Sequence, residues 1–187
     1  MIVESLELPE VRRLVPRVFR DARGHFLETW RESAYRAIGI GPFVQDNVSV
    51  SARDVLRGLH FQQPHGQGKL VSVLRGRVFD VAVDVRRGSP TFGRWVGAEL
   101  SDENGHQLWI PAGFAHGFVT RTDDVVFSYK CTDYYTPQAE RSVRWDDPDI
   151  GIAWDCAAPS LAPKDAAAPR LAELPPEHLP PYEPAGG

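Results

Sequence analysis

The chain has 187 residues, 42% of them hydrophobic and 25% charged, which is enough for one domain with a sizeable core. Its formal net charge of −4 sets up no overall field that attracts nucleic acid, while leaving room for a local basic pocket that takes a small phosphate ligand. Two cysteines, Cys131 and Cys156, argue against a disulfide framework and for a reducing compartment, and no run approaches the ~20 apolar residues of a membrane helix.

The first stretch, MIVESLELPEVRRL, carries Glu4, Glu7 and Glu10 and does not read as a signal peptide, so the expectation is a soluble, cytoplasmic protein. A short helix is predicted next, with Ser33 as its cap, Ala34 to Ile38 as its body and Gly39 as its stop. From there the pattern is β. Leu70, Ser72 and Leu74 alternate with Val71 and Val73, and Phe79, Val81, Val83 and Val85 alternate with Asp80, Ala82 and Asp84, as in a half-buried strand. Arg75-Gly76 and Arg87-Gly88-Ser89-Pro90 are turn signals. Further strands are predicted at Trp95 to Leu100, Gln107 to Ile110, Phe118 to Thr120 and Val125 to Lys130. Many short strands with regular turns and no internal repeat indicate an all-β sandwich or barrel. After Trp154 the composition shifts to Ala and Pro, ending in PPEHLPPYEPAGG, which predicts an extended tail and no second core.

Residues 55–85 raise a chemical question, because Arg57, His60 and Lys69 interrupt strands built for burial. Burying such groups costs several kcal/mol unless each has a partner or a task. The run GHQLWIPAGFAHG places Gly105, Pro111, Gly113 and His116 in the spacing of the second cupin motif, in which a Pro-x-Gly turn precedes an inward His. The first motif of metal-binding cupins has a second His two residues after the first. Gln62 stands there after His60, and His65 falls in a Pro/Gly-rich loop. His60, His116 and His65 therefore make no convincing metal site, which needs three or four convergent ligands. A neutral His, a Lys and a Tyr, here Tyr129 in VVFSYK, suit a different task. The His can remove a proton beside a ketone, the Lys can hold the enolate oxygen, and the Tyr can return a proton. Each alone has a bland account, Tyr129 as a rim aromatic and Lys69 as an edge-strand gatekeeper.

The blocks DARGHFLETW, FVQDNVS, VLRGLHFQ, QGKLV, VFDVAVDVRRGSPTFGRWVG, QLWIPAGFAHGF, YKCTDYY and DDPDIGIAW, in this order over about residues 1–171, resemble the dTDP-4-dehydrorhamnose 3,5-epimerase family. The resemblance implies a cupin-type jelly-roll barrel with the short N-terminal helix, one domain over 1–171, and a loosely ordered Pro-rich tail over 172–187. It implies no cofactor and no metal, a dTDP-sugar substrate, and a homodimer whose N-terminal region reaches into the partner's site. It gives His60 the role of base, Asp165 that of the carboxylate orienting it, Lys69 that of enolate donor and Tyr129 that of acid. Arg57, His116 and Tyr135 match substrate-lining positions for sugar and diphosphate, and Arg23, Phe26, Glu28, Gln45 and Asn47 match the nucleotide-binding blocks. Arg23 can fork onto a diphosphate, and Phe26 offers a face to thymine. Three other readings stay open: an epimerase of C3 alone or C5 alone in another deoxysugar pathway, a sugar-nucleotide-binding barrel without turnover, and a metal-dependent cupin. Arg57 and His60 point to opposite faces of a regular strand, so Gly58 must break the alternation if both serve one pocket.

Overall fold

The computed structural model describes residues 1–184. The chain begins with β1 (Ile2–Ser5) and β2 (Arg12–Val15), then a hairpin of β3 (Val18–Asp21) and β4 (Gly24–Leu27), and helix α1 (Glu32–Arg36). Eight strands follow: β5 (Gln45–Ser51), β6 (Leu56–Gln62), β7 (Lys69–Arg75), β8 (Arg77–Asp84), β9 (Trp95–Ser101), β10 (Gln107–Ile110), β11 (Phe114–Thr120) and β12 (Val125–Cys131). Short β13 (Glu140–Ser142) and α2 (Pro163–Ala166) complete the elements that matter for function. A six-stranded sheet in the order β1-β2-β10-β7-β12-β5 faces a five-stranded sheet in the order β13-β6-β11-β8-β9, and β3-β4 stands apart. This is the jelly-roll barrel that the family resemblance implies, and it fits the sandwich or barrel predicted from the strand pattern.

Three apolar clusters hold the layers. Between the sheets pack Val71, Val73, Ala82, Ala98, Leu108, Phe118 and Phe127. Under α1, on the outer face of the larger sheet, Tyr35 and Ile40 cover Leu14, Leu70 and Trp109. On the outer face of the smaller sheet, Val81, Val83 and Val119 meet Ile150, Trp154, Leu171 and Leu179. That third cluster corrects the expectation for β8. The alternation is right, but the strand is buried on both faces because the C-terminal segment covers the outer one. Val81 and Val83 face this cover, while Asp80 and Asp84, both fully buried, share the face of Val78 and Ala82 toward the barrel interior.

Two further expectations change. Ser33 lies inside α1, with Arg31 at the cap position and no side-chain capping bond, so helix formation rests on Tyr35 docking instead. Gly39 does end the turn, with φ +73, as its N–H bonds back to Arg36. The described part of the tail is not simply extended: it makes 3-10 turns at Leu171–Glu173 and Pro176–His178 and is held in place. The Arg87 N–H donates to Pro180 at 2.8 Å, the Tyr182 N–H donates to Arg87 at 3.0 Å, and Leu179 is buried. Proline supplies few donors, so the tail takes its bonds from the barrel rather than from a sheet of its own. Residues 185–187 of the predicted tail lie outside the described residues.

Candidate active site

A cavity of 370 Å³ opens between the sheets. The larger sheet lines it with Gln45, Asn47 and Ser49 of β5, Lys69 of β7 and Tyr129 of β12. The smaller sheet lines it with Arg57, His60 and Gln62 of β6, His116 and Phe118 of β11 and Glu140 of β13. Tyr135, Lys164 and Asp165 close one side.

Local geometry on β6 explains how Arg57 and His60 share the cavity. Leu56 and Leu59 both sit in the outer cluster, where regular alternation would separate them. The register against β11 slips between the pairs His116↔His60 and Phe118↔Arg57, so β6 carries one extra residue. That residue is accommodated by Gly58, at φ +126, where an added Cβ would lie 2.6 Å from the Cα of Gly117. Only glycine meets both the dihedral and the close approach.

His60 Nε2 lies 2.6 Å from Asp165 Oδ1, and the Gly58 N–H donates to Asp165 Oδ2 at 3.3 Å. The carboxylate can only accept, so Nε2 carries the hydrogen and Nδ1 keeps its lone pair. Burial pushes Asp165 up, but the bond to His60, the attraction of that ring when it is protonated and the Gly58 N–H outweigh it and hold the group below its ordinary value. Asp165 therefore stays anionic behind the imidazole.

Burial pushes Lys69 below the ordinary lysine value, against the pull of Cys131, Asp80 and Glu140. Burial also pushes the Tyr129 hydroxyl up, so it remains a proton donor. The Asp80 carboxylate oxygens lie 2.9 and 3.1 Å from His116 Nε2. Burial drives His116 down and Asp80 up, each opposed by the other, which leaves His116 neutral. At the rim Lys164 donates to Glu140 at 2.8 Å, and the Tyr135 hydroxyl donates to Glu140 at 3.2 Å. A base, a donor for an oxyanion and a second proton donor thus surround one cavity, the set needed to move protons at carbon beside a carbonyl.

The structure does not bring every predicted residue here. Arg23 and Phe26 stand on the β3-β4 hairpin, 90% exposed in side chain and 68% exposed respectively, and Glu28 follows it, paired with Arg31. None of the three lines the cavity. Gln45 and Asn47 do, bonded to each other at 3.1 Å. His65 lies on the surface near Asp133, outside the cavity. Gln62 spends its amide on the backbone instead, donating to His65 O and Tyr134 O and accepting from the Thr136 N–H, and so holds the loop that carries Tyr135. Among the described residues no three His, Cys, Asp or Glu side chains group to hold a metal ion. Sequence reasoning missed Asp80, Glu140 and Lys164. An aspartate sharing a strand face with Ala82 is a signal for Asp80, whereas nothing local marks the other two.

The family profile described as dTDP-4-dehydrorhamnose 3,5-epimerase matches residues 5–173. The chain belongs to that family. It is 53% identical over 180 residues to the dTDP-4-dehydrorhamnose 3,5-epimerase of Sinorhizobium fredii, covering 94% of this chain and 92% of the relative. A relative of the same name from Neisseria gonorrhoeae is 54% identical over 169 residues, and there the match spans 89% of this chain but only 52% of the longer protein. Among solved structures, the 3,5-epimerase of Legionella pneumophila in complex with dTDP-4-keto-L-rhamnose superposes with a TM-score of 0.95 at 49% identity, covering 98% of this chain and 99% of that one. A 3′-monoepimerase from Streptomyces bikiniensis in complex with dTDP-quinovose superposes at 0.87 with 40% identity, covering 95% and 92%.

Proposed function

We propose that this epimerase-family protein inverts C3 and C5 of dTDP-4-dehydro-6-deoxy-D-glucose to give dTDP-4-dehydro-L-rhamnose. The observation that carries the reading is the His60–Asp165 pair at 2.6 Å in the wall of a cavity that also holds Lys69 and Tyr129. The C4 ketone acidifies its neighbouring C–H bonds. His60 Nδ1 takes the proton, the electron pair moves onto the C4 oxygen as an enolate, and the Lys69 ammonium holds that oxygen. The Tyr129 hydroxyl returns a proton to the opposite face, inverting the centre, and exchange with water restores both side chains. Asp165 stabilises the imidazolium while it exists.

The nucleotide contacts fall on two copies in this reading. Gln45, Asn47, Arg57, His116 and Tyr135 receive the sugar diphosphate from the same chain, while Arg23, Phe26 and Glu28 reach into the site of a partner. Support comes from the exposed hairpin and from Val48 and Val50, exposed on the edge strand β5 at 62% and 64%. Such a row on a sheet edge suits pairing with a second chain. Two free cysteines, Cys131 and Cys156, fit a cytoplasmic setting.

Incubation with dTDP-4-keto-6-deoxyglucose in heavy water, read by NMR, tests the activity. Deuterium at C3 and C5 with the L-configured product is expected. Label at one carbon alone would move the protein to the mono-epimerases, a reading favoured by its likeness to the 3′-monoepimerase structure, and no label at all would leave a binding barrel.

A further inference from the structure

Asp80 has no evident structural reason to be where it is. It is fully buried on β8, with the Lys69 charge acting on it, and His116 is its hydrogen-bonding partner among the described residues. A buried carboxylate costs several kcal/mol that an apolar residue of similar size would not. The ring it holds is fixed on its other sides too. His116 stacks on Phe127 with centroids 6.1 Å apart and planes 20° from parallel, Phe118 flanks it, and its backbone pairs with His60 and Ala82.

The bond direction decides what His116 offers. With Asp80 ionised, Nε2 donates to the carboxylate, and in the neutral ring Nδ1 then bears a lone pair. Among the described residues Nδ1 has no hydrogen-bonding protein partner, and His116 lines the cavity. A lone pair there accepts from a hydroxyl and repels a phosphate oxygen. Three titratable groups face the ring: Asp80 from β8, Lys69 from β7 and His60 from β6. The Lys69 ammonium reinforces the neutral state, and Asp80 sets which nitrogen bears the hydrogen.

We infer that Asp80 is a positioning residue, which holds His116 as the Nε2–H tautomer so that Nδ1 receives a hydroxyl of the sugar ring and turns the reacting C–H bonds toward His60. This rests on the epimerase reading of the cavity. It also separates His116 from the diphosphate and assigns it to the sugar.

The test compares the full-length protein with Asp80→Asn. Long-range ¹H–¹⁵N NMR of histidine rings, on protein without ligand, should show wild-type His116 neutral and protonated on Nε2 at pH 7. In Asp80→Asn the amide can donate to Nε2, and the Nδ1–H form should appear. The value of kcat/KM on the keto sugar should fall about tenfold, the effect of one misdirected hydrogen bond. Affinity for dTDP should be unchanged. In a His116→Ala background the same substitution should cost nothing more. A wild-type ring protonated on Nδ1 or cationic at pH 7 would overturn the inference, and this reading survives even if the variant fails to fold. An equal loss in the His116→Ala background would overturn it as well. Should wild type leave the keto sugar unexchanged, the epimerase reading fails by itself. A selective loss of affinity for dTDP-glucose over dTDP in the variant would then still uphold Asp80.

Discussion

Nε2 of His60 and Oδ1 of Asp165 stand 2.6 Å apart although 105 positions of chain separate them. The strand residue is placed by the β6 bulge and the carboxylate by α2, which the Ala/Pro segment folds back against the barrel. His60→Ala should therefore abolish hydrogen exchange at C3 and C5 while dTDP still binds. Asp165→Asn should keep the ring in place and lower kcat by roughly 100-fold, since the imidazolium loses its counter-charge. Steady-state kinetics beside calorimetric dTDP titration read both, and near-normal turnover in the His60 variant would remove it as the base.

Tyr129→Phe separates proton removal from proton return. His60 and Lys69 remain, so the enolate still forms and can be reprotonated from the face it left. Solvent deuterium should enter C3 or C5 with configuration retained, and inverted product should fall by about 100-fold. Full inversion in this variant, read by NMR of the product, would assign the second proton to another group.

The alkaline side of the kcat/KM profile belongs to Lys69. Burial lowers its pKa from 10.5 and raises that of Tyr129 from 10.0, so the two shifts run in opposite directions and the early alkaline loss is assigned to the ammonium. Activity should decline below the pH of an ordinary lysine. Lys69→Arg keeps the charge and should carry the decline to higher pH, at reduced kcat. A limb that stays in place in that variant would exclude Lys69.

Acid stability turns on depressed carboxyls. Asp84 is fully buried and accepts from Arg86, Ser89 and Thr91; burial raises its pKa, but those bonds outweigh it and leave the group below its ordinary value, as at Asp165. A group whose folded pKa is lowered stabilises fully above its unfolded pKa, about 3.9 for Asp. The contribution is lost as pH falls from there through the folded value. Urea melts should show stability level above about pH 5 and falling steeply below pH 4. Asp84→Ala leaves Arg86 without its buried partner and should cost about 3 kcal/mol, with a flatter acid dependence.

The C-terminal segment is part of the core. Leu171 and Leu179 cover Val81, Val83 and Val119. Leu171→Ala should cost about 2–3 kcal/mol in chemical denaturation, with kcat per folded molecule unchanged. An effect below about 0.5 kcal/mol, the range of surface substitutions, would mean that the cover adds nothing.

Much of this was legible in the residues. Period-two alternation and Gly/Pro punctuation announced the barrel, because a strand must send one face inward and a turn must leave the ladder. The Pro111-x-Gly113 turn announced an inward His116, and Gly58 announced the bulge. The tail over 172–184 was misread because composition counts polar and proline residues but not the few leucines that dock. Ser33 was misread as a cap because capping preference is local, while α1 is held by Tyr35 in a distant cluster.

The sequence by itself determined the layer pattern, the family and which residue types carry the chemistry, since periodicity and block order are properties of the chain alone. Only the tertiary structure gave the His60–Asp165 pair its geometry, and only it decided that Asp80 sits behind His116, that Lys164 joins Glu140 at the rim, and that Arg23 and Phe26 stand away from the cavity. Those pairings span tens of residues, and a charged side chain in an Ala/Pro stretch or on an apolar strand gains its meaning from the partner that folding brings within hydrogen-bond distance.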